Sequence, residues 1–298
     1  MNKPRNETQE DHTIGRRTAL VMEGGAMRGM FTCGVIDVLL RHDIRFDGAA
    51  GISAGAVFGC NFKSRQPGRP LRYNKRYCRD PRYCSVRSLL RTGDLYGADF
   101  CYRKLPDELD VFDRRAFREN PMAFYVGATD VRTGKCVYHE CTDGGDGDML
   151  WLRASASMPV VSRPVAADRY LLLDGGISDA VPYAYMEELG YTRDLIVLTQ
   201  PKGYRKKPAS HPALMRLLLR KYPAVADAMA RRHEMYNRQM EEIDRREASG
   251  RSLVIRPPRA LGISRTEKDP DALERVYRLG LSEAEHRLAE IRDWVEGR

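Results

Sequence analysis

The sequence predicts an α/β fold with a mainly parallel central sheet and a helical C-terminal appendage. An apolar strand at residues 18–22 leads through a glycine-rich turn into a helix, and the same order is repeated from residue 48. This repetition is typical of parallel strands joined by helical crossovers. From about residue 201 the chain becomes rich in Lys and Arg, with helical periodicity. A chain of 298 residues, 42% of them hydrophobic, is long enough for one large domain.

Three regions are predicted along the chain: a disordered polar N-terminus at 1–17, an α/β domain at 18–200, and a helical region at 201–298 that packs on it. Pro223 separates two of the tail helices, because proline suits a helix start and disrupts a helix interior. Strands are predicted at 18–22, 48–52, 122–129, 135–140, 170–173, 195–199 and 252–255. Helices are predicted at 30–40, from 54 onward, and at 149–156, 183–189, 211–221, 224–247 and 271–295.

The charge balance favours anionic partners. Fifty Lys and Arg residues face 41 Asp and Glu, a net charge of +9, so nucleic acid, an acidic membrane and phosphorylated substrates all fit. The Arg- and Tyr-rich segment 63–91 suits nucleic acid, or equally a solvated basic insertion over an active site. It carries no recognised reading motif, so no nucleic-acid partner is expected. Residues 214–221 suit either a membrane interface or packing on the sheet.

Compartment and metal use are predicted from what the sequence lacks. No apolar run approaches the roughly 20 residues of a spanning helix, and no secretory signal is visible, so a cytoplasmic protein with reduced cysteines is expected. Any membrane contact would then be peripheral. Cys136, His139 and Cys141 suggest zinc, but on a strand Cys136 points away from the other two. The acidic loop at 143–148 lacks the spacing of a calcium site. No metal or cofactor is predicted, and the oligomeric state is not indicated.

Gly51-Ile-Ser-Ala-Gly55 has the spacing of a nucleophile elbow. In such a turn a strand stops and a helix begins within a few residues, so small neighbours are needed and the serine hydroxyl is exposed. The helix start also supplies free N–H groups and a positive dipole. Ser53 is therefore either a catalytic nucleophile or only a helix cap, and this motif alone leaves the two readings equal.

The glycine loop at 24–29 favours the catalytic reading of Ser53. Adjacent glycines let successive N–H groups point into one cavity, as an oxyanion requires. A dinucleotide loop is the alternative, but Ala26 stands where its middle glycine would be, and no phosphate-binding Gly-Lys-Ser/Thr follows.

A nucleophilic serine needs a base. By chain order the histidine candidates are His211, His233 and His286, but all three lie in the charged helical tail. Asp174 instead ends an apolar strand and precedes two glycines, which predicts a carboxylate at the carboxyl edge of the sheet. A simple turn role for Asp174 is the alternative.

Taken together, the 24–29 loop, the 51–55 elbow and Asp174-Gly-Gly176 resemble the patatin-like phospholipases, in order and spacing, over about residues 18–199. The resemblance implies a three-layer α/β/α fold and hydrolysis of fatty-acyl esters of lipids by a Ser-Asp dyad without histidine, through an acyl-enzyme. It assigns Ser53 as nucleophile and Asp174 as base. The residues that it implies around the dyad are the oxyanion donors Gly24, Gly25 and Ala26 and the motif residues Arg28, Gly29, Gly51, Gly55, Gly175 and Gly176. The Ala54 amide, at the start of the helix, is a further candidate donor.

Three points stay open at this stage. Ala26 departs from the third glycine usual in the family, and its Cβ narrows the turn. Arg28 either faces a lipid phosphate or forms an ion pair on its helix face, with the ion pair favoured. The competing functions are a degenerate lipid- or nucleic-acid-binding protein and a histidine-dependent carboxylesterase.

Overall fold

The computed structural model describes residues 17–297. Apart from Arg17, the N-terminal segment predicted to be disordered lies outside the described residues. No helix in the described part of the chain combines the length and the apolar character that crossing a bilayer requires.

A single mixed sheet forms the centre of the molecule, in the order β5-β6-β3-β2-β1-β7-β8, with β4 also paired to β3. Five neighbouring strands, from β3 through β8, are parallel, whereas β4 and β6 run antiparallel to β3. The predicted mainly parallel sheet is thus confirmed. The strands are β1 Thr18–Met22, β2 Gly48–Ile52, β3 Ala123–Asp130, β4 Cys136–Cys141, β5 Val165–Ala167, β6 Tyr170–Asp174, β7 Arg193–Val197 and β8 Ser252–Ile255.

Helices surround the sheet, and short 3-10 turns follow β1 at Ala26–Gly29 and β6 at Gly175–Ile177. A π-helix spans Phe100–Leu109. The α-helices are α1 Met30–Arg41, α2 Ala54–Lys63, α3 Arg69–Tyr77, α4 Val86–Thr92, α5 Arg114–Glu119, α6 Asp146–Ser155, α7 Tyr183–Glu188, α8 Pro212–Leu218, α9 Pro223–Ala248, α10 Pro270–His286 and α11 Leu288–Glu296. The helix predicted at 271–295 is therefore interrupted at Arg287, between α10 and α11.

Alternation along β1 assigns the helices to two layers. Leu20 and Met22 belong to a core that includes residues of α1, α2 and α10. Ala19 and Val21 belong to a second core with residues of α7 and α9. Because successive side chains of a strand point to opposite faces, the sheet is covered on both sides. This is the three-layer α/β/α arrangement that the family resemblance implied.

The C-terminal third is joined closely to the sheet. β8 pairs in parallel with β7, and α10 packs against α1. At this crossing a Cβ on Gly34 would lie 2.1 Å from the Tyr277 carbonyl oxygen, and one on Gly280 would lie 2.0 Å from that of Phe31. Glycine at both positions therefore allows the two helix backbones to touch.

The Arg- and Tyr-rich segment 63–91 differs from a solvated insertion. Its residues form α3 and α4, and the interleaved Tyr73, Tyr77 and Tyr83 are buried at 5–7% exposure. The Tyr83 hydroxyl donates to Asn74 Oδ1 at 2.7 Å, and Arg72 pairs with Asp110 at 2.8 Å. The tyrosines are part of the core and present no free faces on which bases could stack.

Candidate active site

The site forms where β2 and β6 meet end to end along one edge of β3. β4 occupies the other edge of β3, so β2 and β6 share the remaining one. Ile52, the last residue of β2, is opposite Gly127, and Asp174, the last residue of β6, is opposite Ala128. Ser53 and Asp174 are therefore brought together by two strands that run toward each other. The strand that carries Asp174 is one of the antiparallel members of the mainly parallel sheet.

Ser53 lies in a sharp turn between β2 and α2, with φ 53° and ψ −121°. A positive φ is rare for a residue with a side chain and marks a position held by its surroundings. The flanking glycines allow the turn, since a Cβ on Gly51 would lie 2.5 Å from the Gly55 carbonyl carbon, and one on Gly55 would lie 2.4 Å from the Met22 carbonyl oxygen. Ser53 makes no side-chain cap to α2, contrary to the simple capping alternative.

The Ser53 hydroxyl donates directly to Asp174, with 2.7 Å between Oγ and Oδ2. The other carboxylate oxygen, Oδ1, accepts the Gly176 amide at 2.8 Å. Asp174 is only 2% exposed. Burial raises the pKa of its carboxyl above the usual value, against the attraction of Arg232 and the hydrogen bond from Ser53. A buried carboxylate with a raised pKa is a stronger base for a serine proton than an exposed one.

Ser155 was missed at the sequence level. Its side chain is fully buried, and Oγ accepts the Ser53 amide at 2.8 Å while donating to the Gly127 carbonyl oxygen at 2.6 Å. The Ser53 amide is therefore already engaged. Two residues on, the Ser157 carbonyl oxygen accepts the Asp174 amide at 2.8 Å. The only signal in the sequence was the small-residue run at 154–157, which has no spacing that assigns a partner.

The glycine loop after β1 faces the same turn. The Gly24 amide donates to the Ala180 carbonyl oxygen at 3.3 Å, so it is not free as an oxyanion donor. Within the described residues, the amides of Gly25, Ala26 and Ala54 donate to no protein group. Ala26 has φ 49°, the left-handed region in which glycine is the least strained residue.

The remaining motif residues hold this loop and the Asp174 turn in place. A Cβ on Gly29 would lie 2.8 Å from the Phe58 ring, and one on Gly175 would lie 2.3 Å from the Gly127 carbonyl oxygen. The ion pair favoured for Arg28 is wrong, because its side chain pairs with no carboxylate in the described part of the chain. Its Nε is buried without a hydrogen-bond partner there.

A cavity of about 660 Å³ opens beside the dyad. Its wall includes Ser53, Asp174 and Ala26, and most of the rest of the lining is apolar. The size and character suit an apolar ligand with a few polar groups at one end. Representative apolar lining residues are Val57, Phe58, Leu105, Met149, Leu152 and Met229.

The three candidate histidines differ in position. His211 and His286 are exposed, at the start of α8 and the end of α10. His233 lines the cavity, but its Nδ1 is 3.1 Å from the Ala230 carbonyl oxygen of its own helix, and its Nε2 is 3.9 Å from Glu234. Because the Ser53 hydroxyl contacts Asp174 directly, no imidazole lies between them.

His139 and Cys141 lie together with Asp148, while Cys136 is not part of that group. Both carboxylate oxygens of Asp148 already have hydrogen-bond partners. Its Oδ2 accepts three amides, from Thr142, Asp143 and Gly144, at 2.8–3.0 Å. Its Oδ1 lies 2.8 Å from His139 Nε2. These contacts make Asp148 the anchor of the acidic loop at the start of α6, and a metal ion would have to displace them.

Two family models match parts of this chain. A family model described as patatin-like phospholipase matches residues 20–186, and one described as a domain of unknown function (DUF6363) matches residues 222–296. The uncharacterized protein YjjU of Escherichia coli (strain K12) is 28% identical over 269 residues, which is 89% of this chain and 75% of YjjU. The crystal structure of VipD from Legionella pneumophila has a TM-score of 0.47 and 11% identity, over 92% of this chain and 67% of that one.

Two further relatives are longer proteins. The uncharacterized NTE family protein Mb1092c of Mycobacterium bovis is 30% identical over 197 residues, 65% of this chain and 51% of that protein. Lysophospholipase nte1 of Emericella nidulans is 26% identical over 189 residues, 59% of this chain and 11% of that protein. The patatin-like model covers more than half of the chain, including both glycine turns, Ser53 and Asp174. The chain belongs to the patatin-like phospholipase family.

Proposed function

We propose that the protein hydrolyses fatty-acyl ester bonds of lipids through a Ser53–Asp174 dyad. The observation that carries the proposal is the 2.7 Å contact between Ser53 Oγ and Asp174 Oδ2 in the wall of an apolar cavity. The family and the relative named lysophospholipase nte1 support the same class of substrate.

The proposed reaction has two steps. Asp174 Oδ2 accepts the Ser53 proton as Oγ attacks the ester carbonyl carbon, and the proton then passes to the departing alcohol. Asp174 then deprotonates a water molecule that attacks the acyl-enzyme, and the protonated Asp174 returns this proton to Ser53 Oγ as the fatty acid leaves. The Gly176 amide on Oδ1 keeps the carboxylate oriented throughout. The acyl chain occupies the apolar part of the cavity.

The carbonyl oxygen becomes negatively charged during both steps, and the free amides of Gly25, Ala26 and Ala54 are the proposed donors. Each such donor is worth about 3–4 kcal/mol in comparable sites. The Ser53 amide is excluded because Ser155 accepts it, and the Gly24 amide because Ala180 does. The proposed oxyanion hole therefore has three donor amides, one fewer than the sequence predicts, because the Gly24 amide is engaged.

The test is labelling by a serine-directed fluorophosphonate, together with turnover on a panel of acyl esters. Ser53→Ala is expected to lose both, and Asp174→Asn to lose turnover. Ser162→Ala is a matched control, because Ser162 also lines the cavity but is not bonded to Asp174. His233→Gln is expected to retain turnover. If His233→Gln lost turnover while Asp174→Asn kept it, a histidine-dependent esterase would be favoured. A wild-type protein inactive on every ester would overturn the proposal.

Contact with an anionic membrane from the aqueous side is part of the same proposal. Helix α8 exposes Leu214, Leu217 and Leu218 by 53–61%, while Met215 between them lines the cavity. Exposed Arg216 and Arg220 flank this apolar surface. An apolar stripe bordered by basic residues is typical of helices that lie in a lipid interface.

Co-sedimentation with vesicles of phosphatidylcholine and phosphatidylserine tests the contact. Leu217→Asp is expected to reduce the bound fraction while leaving hydrolysis of a water-soluble ester unchanged. Leu150→Asp, at another exposed leucine on α6, is the matched control. Equal binding by both variants and wild type would remove α8 from the proposal.

A further inference from the structure

Besides the exposed Lys207, three cationic side chains from the C-terminal third line the cavity beside the dyad: Lys206, Arg232 and Arg265. All three follow residue 186, where the match to the patatin-like model ends. Lys206 and Arg265 come from connecting segments, and Arg232 comes from α9. The C-terminal third of the chain thus contributes a positively charged wall to the active-site cavity.

These cations form no direct ion pair within the described part of the chain. Between residues 17 and 297, none of the three has a carboxylate within ion-pair distance. Arg69, by contrast, also lines the cavity but is paired with Asp110 at 3.4 Å. Charged side chains that are partly removed from water are normally paired, so an unpaired cluster in a cavity indicates a ligand of opposite charge.

Arg232 is the member nearest to the dyad. A Cβ on Gly176 would lie 3.1 Å from Asp174 Oδ1 and 3.3 Å from Arg232 Nη2, so the carboxylate and the guanidinium both lie close to Gly176. Arg232 Nε also donates to the Gly176 carbonyl oxygen. Its charge is therefore opposed in part by Asp174.

Two adjacent residues of α9 hold Lys206 beside this cavity. Its backbone exchanges hydrogen bonds with the Asn237 side chain at 2.8 and 3.1 Å, and its Nζ lies 4.2 Å from the centre of the Tyr236 ring. Burial, followed by repulsion from Arg232, lowers the pKa of Lys206 to about 7, although Glu23 acts in the opposite direction. Repulsion from Arg28 and Arg265 adds to this effect.

Glu23 is the other acid close to the cluster, and its carboxylate is already used. It is 1% exposed, accepts the Tyr236 hydroxyl at 2.9 Å and accepts the Thr199 hydroxyl at 3.1 Å. Arg28, whose buried Nε has no partner in the described chain, adds a further cation that is near enough to repel Lys206.

We propose that Lys206, Arg232 and Arg265 bind the phosphate of an acylated glycerol phosphate and so hold its acyl ester beside Ser53. A phosphate monoester carries close to two negative charges near neutral pH, and it would supply the anion that this positively charged wall lacks as an ion-pair partner. A zwitterionic headgroup would bring a cation into the same space. The inference rests on the proposed function for the identity of the substrate, but its test requires no turnover.

The experiment measures binding of two non-hydrolysable ether lipids to the Ser53→Ala protein by calorimetry. One is the octyl ether of glycerol 3-phosphate, and the other is the same ether without phosphate. The phosphate ether is expected to bind about tenfold more tightly or better, as charge-assisted contacts are the stronger kind. Lys206→Met is expected to remove most of this preference, and Lys206→Arg to restore it. Arg265→Gln should reduce it by about threefold, because that side chain is exposed.

The matched controls are Lys202→Met and Arg259→Gln, which remove the same charges from exposed positions outside the cavity wall. Both are expected to keep the preference, and circular dichroism confirms that every variant is folded. Equal binding of the two ethers, or a preference that survives Lys206→Met, would overturn the assignment. Inorganic phosphate that binds as tightly as the phosphate ether would assign the cluster to free phosphate and overturn the lipid substrate. Ester hydrolysis can persist in each case, so failure here is separable from failure of the dyad.

Discussion

Ser155 is predicted to hold the catalytic turn in its strained conformation, and Ser155→Ala tests this. The hydroxyl is the acceptor for the Ser53 amide at 2.8 Å and a donor to the Gly127 carbonyl oxygen at 2.6 Å. Alanine keeps the backbone and most of the side-chain volume but removes both contacts. No other group in the described chain accepts the Ser53 amide.

The expected loss of stability follows from these two contacts. A buried amide left without a partner costs about 1–3 kcal/mol, and the second hydrogen bond contributes about 1 kcal/mol, so unfolding should become easier by about 2–4 kcal/mol. Ser53 at φ 53° also stores about 1–3 kcal/mol of backbone strain. Without its anchor the turn can relax, and a misplaced Oγ is expected to lower kcat/KM about ten- to hundredfold, equivalent to about 1.4–2.7 kcal/mol.

Urea unfolding and kcat/KM on a soluble ester measure the two effects. Ser157→Ala is the matched control, because the Ser157 hydroxyl donates to the Arg153 carbonyl oxygen, which also accepts the Ala156 amide. It is expected to lose about 1 kcal/mol or less and to keep its activity. If Ser155→Ala matched this control in both measurements, the hydroxyl would not be what holds the turn. Lost stability with unchanged kcat/KM would limit Ser155 to a structural role.

Three further predictions concern the same site. Because burial raises the pKa of Asp174 and the base must be ionised, kcat/KM for a neutral ester should fall as pH decreases, with its midpoint above the usual aspartate value of 3.8. Arg232 lowers this pKa, so Arg232→Gln should move the midpoint to higher pH. An unchanged midpoint would contradict the role of the Arg232 charge. Ala26→Gly should relieve a left-handed alanine and stabilise the protein by about 0.5 kcal/mol with activity retained, as thermal unfolding and turnover would show. Gly55→Ala should lower the free energy of unfolding by at least about 2 kcal/mol, since its Cβ would lie 2.4 Å from the Met22 carbonyl oxygen. Gly147→Ala, with open space around it, should be tolerated. Similar unfolding midpoints for the two variants would refute the close-packing argument.

Much of the fold could be predicted from local pattern. The strands at 18–22 and 48–52 and the helix after each were recognisable because apolar periodicity and glycine turns depend on nearby residues. The direction of β6 was not predictable, since a four-residue apolar run has the same pattern in parallel and antiparallel pairing. The burial of Tyr73, Tyr77 and Tyr83 was also missed, because the surrounding arginines suggested a solvated surface. Those arginines are partly neutralised by distant partners such as Asp110, which no local pattern reveals.

The site also combines features set by local sequence with features set by tertiary packing. The sequence by itself determined the Ser53 turn, the glycine loop and an aspartate at the end of an apolar strand, because each depends on backbone geometry within a few residues. Tertiary structure alone decided that β2 and β6 meet head to head, that Ser155 engages the Ser53 amide, and that the Gly24 amide is not free. It also brought Lys206, Arg232 and Arg265 to the cavity from the C-terminal third. Contacts between segments about a hundred residues apart are set by how the sheet and helices pack, and the spacing of neighbouring residues carries no record of that packing.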